Sequence, residues 1–155
     1  MGDMFVKTWT KDIEINAPIE EVWKFFDGDL EDMQKIMPQV VDNKLIHETE
    51  DKVGTIYRQS YREGKRVMEY DVKVLEYKNT SDEKRLKITF NLANMFDITA
   101  AYDLKKIDEN KTYFKYETTN NPNKWFIKLM LKFASDKVVV QFVDRVKKVA
   151  EQGVN

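Results

Sequence analysis

Polar and apolar residues alternate from Lys7 to Ile15, with Trp9, Ile13 and Ile15 on one side and Thr10, Asp12 and Glu14 on the other. That period of two predicts a half-buried strand. The stretch NAPIEEVWKFF then changes period. Pro18 suits the first helical position, where its missing N–H is not needed, and Glu20 and Glu21 favour the positive end of a helix dipole. Ile19, Val22, Trp23 and Phe26 recur at helical spacing, which predicts a short amphipathic helix ended by Gly28. Asp29 can cap a second short helix through Met37, with Leu30, Met33 and Ile36 or Met37 inward, before Pro38 forbids continuation.

Beyond Pro38 the period returns to two, broken at intervals by turn residues. Six further strands are expected, at about Val40 to Glu48, Val53 to Arg62, Arg66 to Tyr77, Arg85 to Leu92, Phe96 to Ile107 and Thr112 to Thr119. Connections this short join antiparallel neighbours, so the six strands form a meander. No internal repeat or low-complexity linker interrupts them.

After Asn121 and Pro122 the pattern can be helical to about Gln152, with Gly153 as a stop. Placing successive residues about 100° apart, Phe126, Ile127, Leu129, Met130, Leu131, Phe133 and Ala134 centre on one direction. Val138, Val139, Phe142, Val143, Val146 and Val149 centre roughly 160° away. One straight helix cannot bury both faces, so a break or kink is expected at Ser135 to Lys137. A membrane span is disfavoured, because Lys128, Lys132, Asp136 and Lys137 would together cost on the order of 10 kcal/mol in hydrocarbon.

The 26 basic and 27 acidic residues leave a formal net charge of -1 and are interspersed, so no electrostatic footprint for nucleic acid or anionic lipid stands out. The chain has no cysteine, which excludes disulfides, thiolate metal sites and a cysteine nucleophile. Its start lacks an apolar stretch behind a basic one, so a secretory signal is not read there and a cytoplasmic protein is expected. His47 is the only histidine, and no G-x-S-x-G context accompanies it. A half-exposed strand residue is the reading for His47. No D-x-D-x-D-G loop or other metal-ligating cluster occurs, glycine is scarce, and no catalytic residue, metal or cofactor is assigned.

The segments IEINAPIEEVWKFF from Ile13, MPQV from Met37, KVGTIYRQSYREGKRVMEYDVKVLEY from Lys52 and FVDRVKKVAEQ from Phe142 carry a resemblance across essentially the whole chain. Together with the element order, they resemble the START-related helix-grip superfamily, and most nearly its polyketide cyclase/dehydrase and lipid-transport family. The resemblance implies an α+β fold. A curved, seven-stranded antiparallel sheet would wrap a long C-terminal helix, with two short helices between strands one and two, in a single domain over residues 1–155. It also implies an apolar cavity between sheet and helix.

Alternation indicates which side chains face that interior. One side carries Tyr57, Gln59 and Tyr61; Met68, Tyr70, Val72 and Val74; Leu86, Ile88, Phe90 and Leu92; Ile98, Ala100, Tyr102 and Leu104; and Phe114, Tyr116 and Thr118. The opposite side is charged, from Arg58 and Asp71 to Lys115 and Glu117. Five inward tyrosines need partners for their hydroxyls, whereas a solid core favours Leu, Val and Phe. They point to a partly wet pocket with a few hydroxyl donors, as an amphipathic ligand requires.

The leading expectation is therefore a module that binds or transports a small apolar or amphipathic molecule. Its candidate ligand residues are Tyr57, Gln59, Tyr61, Met68, Tyr70, Phe90, Tyr102 and Tyr116, with Phe126 and Met130 at the mouth. Two alternatives stand beside it. One is a cyclase- or dehydratase-type enzyme that uses the same cavity, with a tyrosine or His47 moving protons. The other is a protein-interaction module resembling the superfamily's co-chaperones, with a filled interior and an apolar patch outside.

Overall fold

The computed structural model describes residues 6–92, 96–122 and 136–153. Within them the order is β1 (Lys7–Ile15), α1 (Ile19–Asp27), α2 (Leu30–Ile36), β2 (Val40–His47), β3 (Ile56–Glu63), β4 (Arg66–Asn79), β5 (Glu83–Leu92), β6 (Phe96–Asp108), β7 (Lys111–Pro122) and α3 (Lys137–Gln152). The seven strands form one sheet in the order β1-β7-β6-β5-β4-β3-β2, and every neighbouring pair is antiparallel. This is the helix-grip arrangement that the alternation and the resemblance lead one to expect.

Because β1 and β2 are consecutive in sequence yet lie at opposite edges of the sheet, the chain must cross its concave side between them. The helices α1 and α2 make that crossing, and α3 packs against β1, α1 and α2. α1 buries Ile19, Val22, Trp23, Phe25 and Phe26. In α2 the Asp29 carboxylate accepts the backbone N–H of Asp32 at 2.9 Å, giving an acceptor to one of the unmet donors at a helix start. Between the two helices Gly28 has no room for a side chain, since a Cβ there would stand 2.3 Å from the carbonyl oxygen of Lys24.

Polar contacts dock the ends. Lys147 Nζ donates to the carbonyl of Glu14 at 2.8 Å and pairs with Glu151, whose carboxylate also accepts the N–H of Asn16 at 2.8 Å. These tie α3 to the end of β1. The ammonium of Lys84, 2% exposed, pairs with Glu20 at 2.9 Å and donates to Asn79 and to the carbonyl of Thr80. It joins α1 to the β4–β5 turn, which makes its burial tolerable. The same ammonium lies 5.8 Å from the ring of Trp23, whose Nε1 is buried without an acceptor among the described residues.

Three details depart from simple alternation. The strand expected from Val53 begins only at Ile56. Residues 49–55 instead form a closed turn in which Thr49 Oγ1 donates to the carbonyl of Val53 at 2.7 Å and Thr55 Oγ1 accepts the N–H of Thr49 at 3.1 Å. Lys52 (φ 74°) and Gly54 (φ 89°) both take left-handed backbone there. In β4 the pairing with β5 shifts between Val74 and Glu76, so Leu75 bulges outward and Tyr77 turns inward. The helix α3 starts at Lys137 and buries Val139, Val143, Val146 and Ala150, while Val138 is 74% exposed rather than inward. The expected helical stretch before Ser135, and with it the apolar face opposite Val143, lies outside the described residues.

Candidate functional site

A cavity of about 720 Å³ lies between the concave face of the sheet and the helices. Its walls come from every inward row that alternation assigns: Tyr57, Gln59 and Tyr61 from β3; Met68, Tyr70, Val72 and Val74 from β4; Leu86, Ile88 and Phe90 from β5; Ile98, Ala100 and Tyr102 from β6; Tyr116 and Thr118 from β7. Phe25 and Phe26, Met33 and Ile36, and Val139 and Phe142 close it from α1, α2 and α3. Eight of the ten candidate ligand residues named from sequence thus line one space; Phe126 and Met130 lie outside the described residues.

Aromatic rings make up much of the wall. Tyr70 stacks on Phe90 with centroids 4.9 Å apart, and Tyr102 on Tyr116 at 5.4 Å. Phe142 of α3 tilts against both Tyr102 and Tyr116, at 6.2 and 4.8 Å. The Tyr70 hydroxyl donates to Gln59 Oε1 at 3.2 Å. Burial pushes the Tyr70 hydroxyl up to about 12 and that of Tyr102 well above its usual value, and it raises Tyr116 as well. These phenols therefore remain neutral and act as donors and acceptors, not as anions.

A second, more polar group closes one side of the cavity. Asp27, the last residue of α1, accepts a hydrogen bond from the Tyr77 hydroxyl at 2.8 Å. Burial, reinforced by that bond to Asp27, raises Tyr77 to about 12. Tyr57 is raised by burial, while Lys52 pulls it the other way. Lys52 lines the same wall from the turn at residues 49–55, with its ammonium 3.2 Å from Glu48.

Sequence reasoning finds only Tyr57 of this group. Tyr77 is out of phase until the bulge at Leu75 is known, although the run Val74-Leu75-Glu76-Tyr77 breaks strict alternation and could have signalled it. Asp27 reads as the polar end of a helix, and Lys52 as a turn residue. Asp97 and Glu117, the strand carboxylates that alternation turns outward, do not line the cavity. His47 is exposed and does not line it either. Among the described residues no cluster of His, Cys, Asp and Glu could hold a metal, and no helix is long and apolar enough to cross a membrane.

Residues 7–151 match the family described as polyketide cyclase/dehydrase and lipid transport. The chain belongs to that family. Among solved structures it is similar to the Zhui aromatase/cyclase from Streptomyces sp. R1128, with a TM-score of 0.73 and 11% identity over 97% of this chain and 96% of that one. It is similar to norcoclaurine synthase from Thalictrum flavum, with a TM-score of 0.64 and 15% identity over 97% of each chain. A ginseng major latex-like protein from Panax ginseng gives a TM-score of 0.67 at 12% identity over 96% and 97% of the two chains. Identities this low establish a shared fold and leave each protein's ligand its own. Comparison with curated proteins gives no match.

Proposed function

We propose that this family member binds a small hydrophobic or amphipathic molecule in the cavity between the sheet and the helices, as a carrier or reservoir. The observation that carries the reading is a space of about 720 Å³ lined by apolar side chains and six tyrosines from four strands. A volume in the range of roughly 300–1,000 Å³ with a few placed polar groups suits one small ligand. The family's lipid-transport members and its cyclase members both support an apolar guest. An interaction module with a filled interior would have no use for such a space.

The test is occupancy. The neutral dye N-phenyl-1-naphthylamine should brighten on the folded protein, and protein purified from cells should carry a small-molecule adduct in native mass spectrometry. Tyr70→Trp should fill part of the space and weaken dye binding several-fold. A folded protein that neither binds the dye nor carries an adduct would remove the carrier reading and leave the interaction module. Cyclase or dehydratase chemistry separates from transport at the next step, since a carrier releases its adduct unchanged and an enzyme converts it.

A further inference from the structure

We propose that the wall formed by Asp27, Lys52, Tyr57 and Tyr77 receives the head of the ligand, and that this head is an uncharged hydroxyl, an alcohol or a phenol. The inference rests on the cavity binding a small molecule and adds which end of it goes where.

Asp27 gains nothing for its own helix. It is the last residue of α1, where the negative end of the helix dipole disfavours an anion, and Gly28 ends the helix behind it. Its Oδ2 accepts from Tyr77, which leaves Oδ1 as an acceptor on the cavity wall. Lys52 lines the cavity from a turn closed by hydrogen bonds. Its left-handed backbone, the Thr49–Val53 bond and the bond from Gly54 N–H to the carbonyl of Val74 at 2.8 Å fix where its side chain begins. Glu48 is 3.2 Å from its ammonium. The Tyr57 hydroxyl, which feels both Lys52 and Asp27, donates to no protein group among the described residues.

The charges select the head. A carboxylate head would meet Asp27, with Glu48 behind Lys52 already using its cation. An ammonium head would meet Lys52. A hydroxyl satisfies both, giving its proton to Asp27 Oδ1 and accepting from Tyr57 or Lys52, and carries no charge to desolvate. Asp27 and Gly28 are exposed residues, so the head lies at the cavity's rim and the tail extends toward Ile88, Phe90 and Phe142.

Displacement of bound N-phenyl-1-naphthylamine at neutral pH by 1-decanol, decanoate and decylammonium tests this, because the tail is constant and only the head changes. Decanol should displace the dye at a concentration about ten-fold or more below either ion, in keeping with a hydrogen bond to a charged group. Asp27→Asn keeps an acceptor for Tyr77 while removing the charge. It should weaken decanol and narrow the gap to decanoate. Lys52→Met should narrow the gap to decylammonium. If either ion displaces the dye better than decanol from the wild-type protein, the assignment of the head is overturned while the cavity reading stands. The same holds if a folded Asp27→Asn protein keeps the wild-type ranking. Failure of the dye to bind at all overturns both. The wild-type ranking needs no variant to fold.

Discussion

Two ends of one sheet face the same way and end up in different surroundings. At one end Leu104 and Phe114, directly paired across β6 and β7, pack with Ile15, Val22, Val143 and Val146 at exposures of 0 or 1%. A few residues along the same strands, Val72, Phe90, Ile98 and Asn120 stand in register across β4 to β7 and line the cavity. Both stretches alternate; both put their inward side chains on the concave face. What differs is the layer above. Residues of α1 and α3 pack in one core cluster with Leu104 and Phe114, whereas Phe90 shares the cavity lining with Met33 and Ile36 of α2 and with Val139 and Phe142 of α3. Tyr102 and Tyr116, two residues from Leu104 and Phe114 on their strands, mark the boundary. Alternation therefore establishes sidedness, and the helices decide whether an inward face becomes core or cavity.

The largest effect should come from truncating the solid end. Phe114→Ala should cost about 3–5 kcal/mol, the loss of a buried ring plus the hole it leaves. Phe90→Ala, from a half-buried position that already borders empty space, should cost about 1–2 kcal/mol, because fewer contacts are lost. Urea unfolding of the two variants measures the difference, and equal losses would mean that the Phe90 end is as tightly packed as the Phe114 end.

The next effect belongs to the rim. Gly28→Ala places a methyl 2.3 Å from the Lys24 carbonyl and 2.8 Å from Asp32 Oδ2, and the first of these is backbone that cannot simply rotate away. The α1–α2 turn must open, at about 1–3 kcal/mol, and it carries Asp27 with it. Dye binding should therefore fall along with the unfolding midpoint. A variant that lost stability but bound dye as before would separate the turn from the cavity.

How much of this could be read in advance follows from the same contrast. The strands, their antiparallel order and fifteen of the cavity-lining residues follow from alternation, because a sheet with one charged face has only one register that keeps charge in water. Of the polar wall only Tyr57 follows, since its other members are placed by something other than period. Tyr77 comes inward because of one bulged residue, Lys52 through a turn closed by Thr49 and Thr55, and Asp27 because two helices cross the concave face. The start of β3 is displaced for the same reason, as Val53 looks like strand until its neighbours adopt positive φ. Periodicity registers a run of residues and is blind to a single displaced one.

A smaller effect tests the wet interior against the dry core. Tyr70→Phe removes the hydroxyl that donates to Gln59, at about 0.5–1.5 kcal/mol near neutral pH. Its pH dependence carries more information. Tyr70 is held at about 12 in the fold against about 10 when unfolded. Raising the folded value favours the neutral form, so its contribution to stability is complete below pH 10 and is lost as pH rises from about 10 to about 12. The wild-type protein should lose stability over that window more steeply than Tyr70→Phe, with the lysines common to both. Parallel curves would mean that the Tyr70 hydroxyl meets water as freely as in the unfolded chain.

The smallest effect is expected on the far side of the same strands. Arg58 on β3 and Asp71 on β4 are direct neighbours, with Arg58 Nε donating to Asp71 Oδ1 at 2.8 Å and Nη2 to Oδ2 at 3.3 Å. The residues beside them, Tyr57 opposite Val72 and Gln59 opposite Tyr70, turn inward to line the cavity. The pair holds Asp71 below its usual range through the hydrogen bond from Arg58, yet both groups stand in water, where solvent and salt screen their attraction. Asp71→Asn should shift the urea midpoint less than any change above, with the shift shrinking further as salt is added. Dye binding should not move, because the strand keeps its register through the inward side chains. A loss of binding from this outward substitution would mean that the cavity wall is held by its charged outer face, and the division between the two faces of the sheet would have to be redrawn.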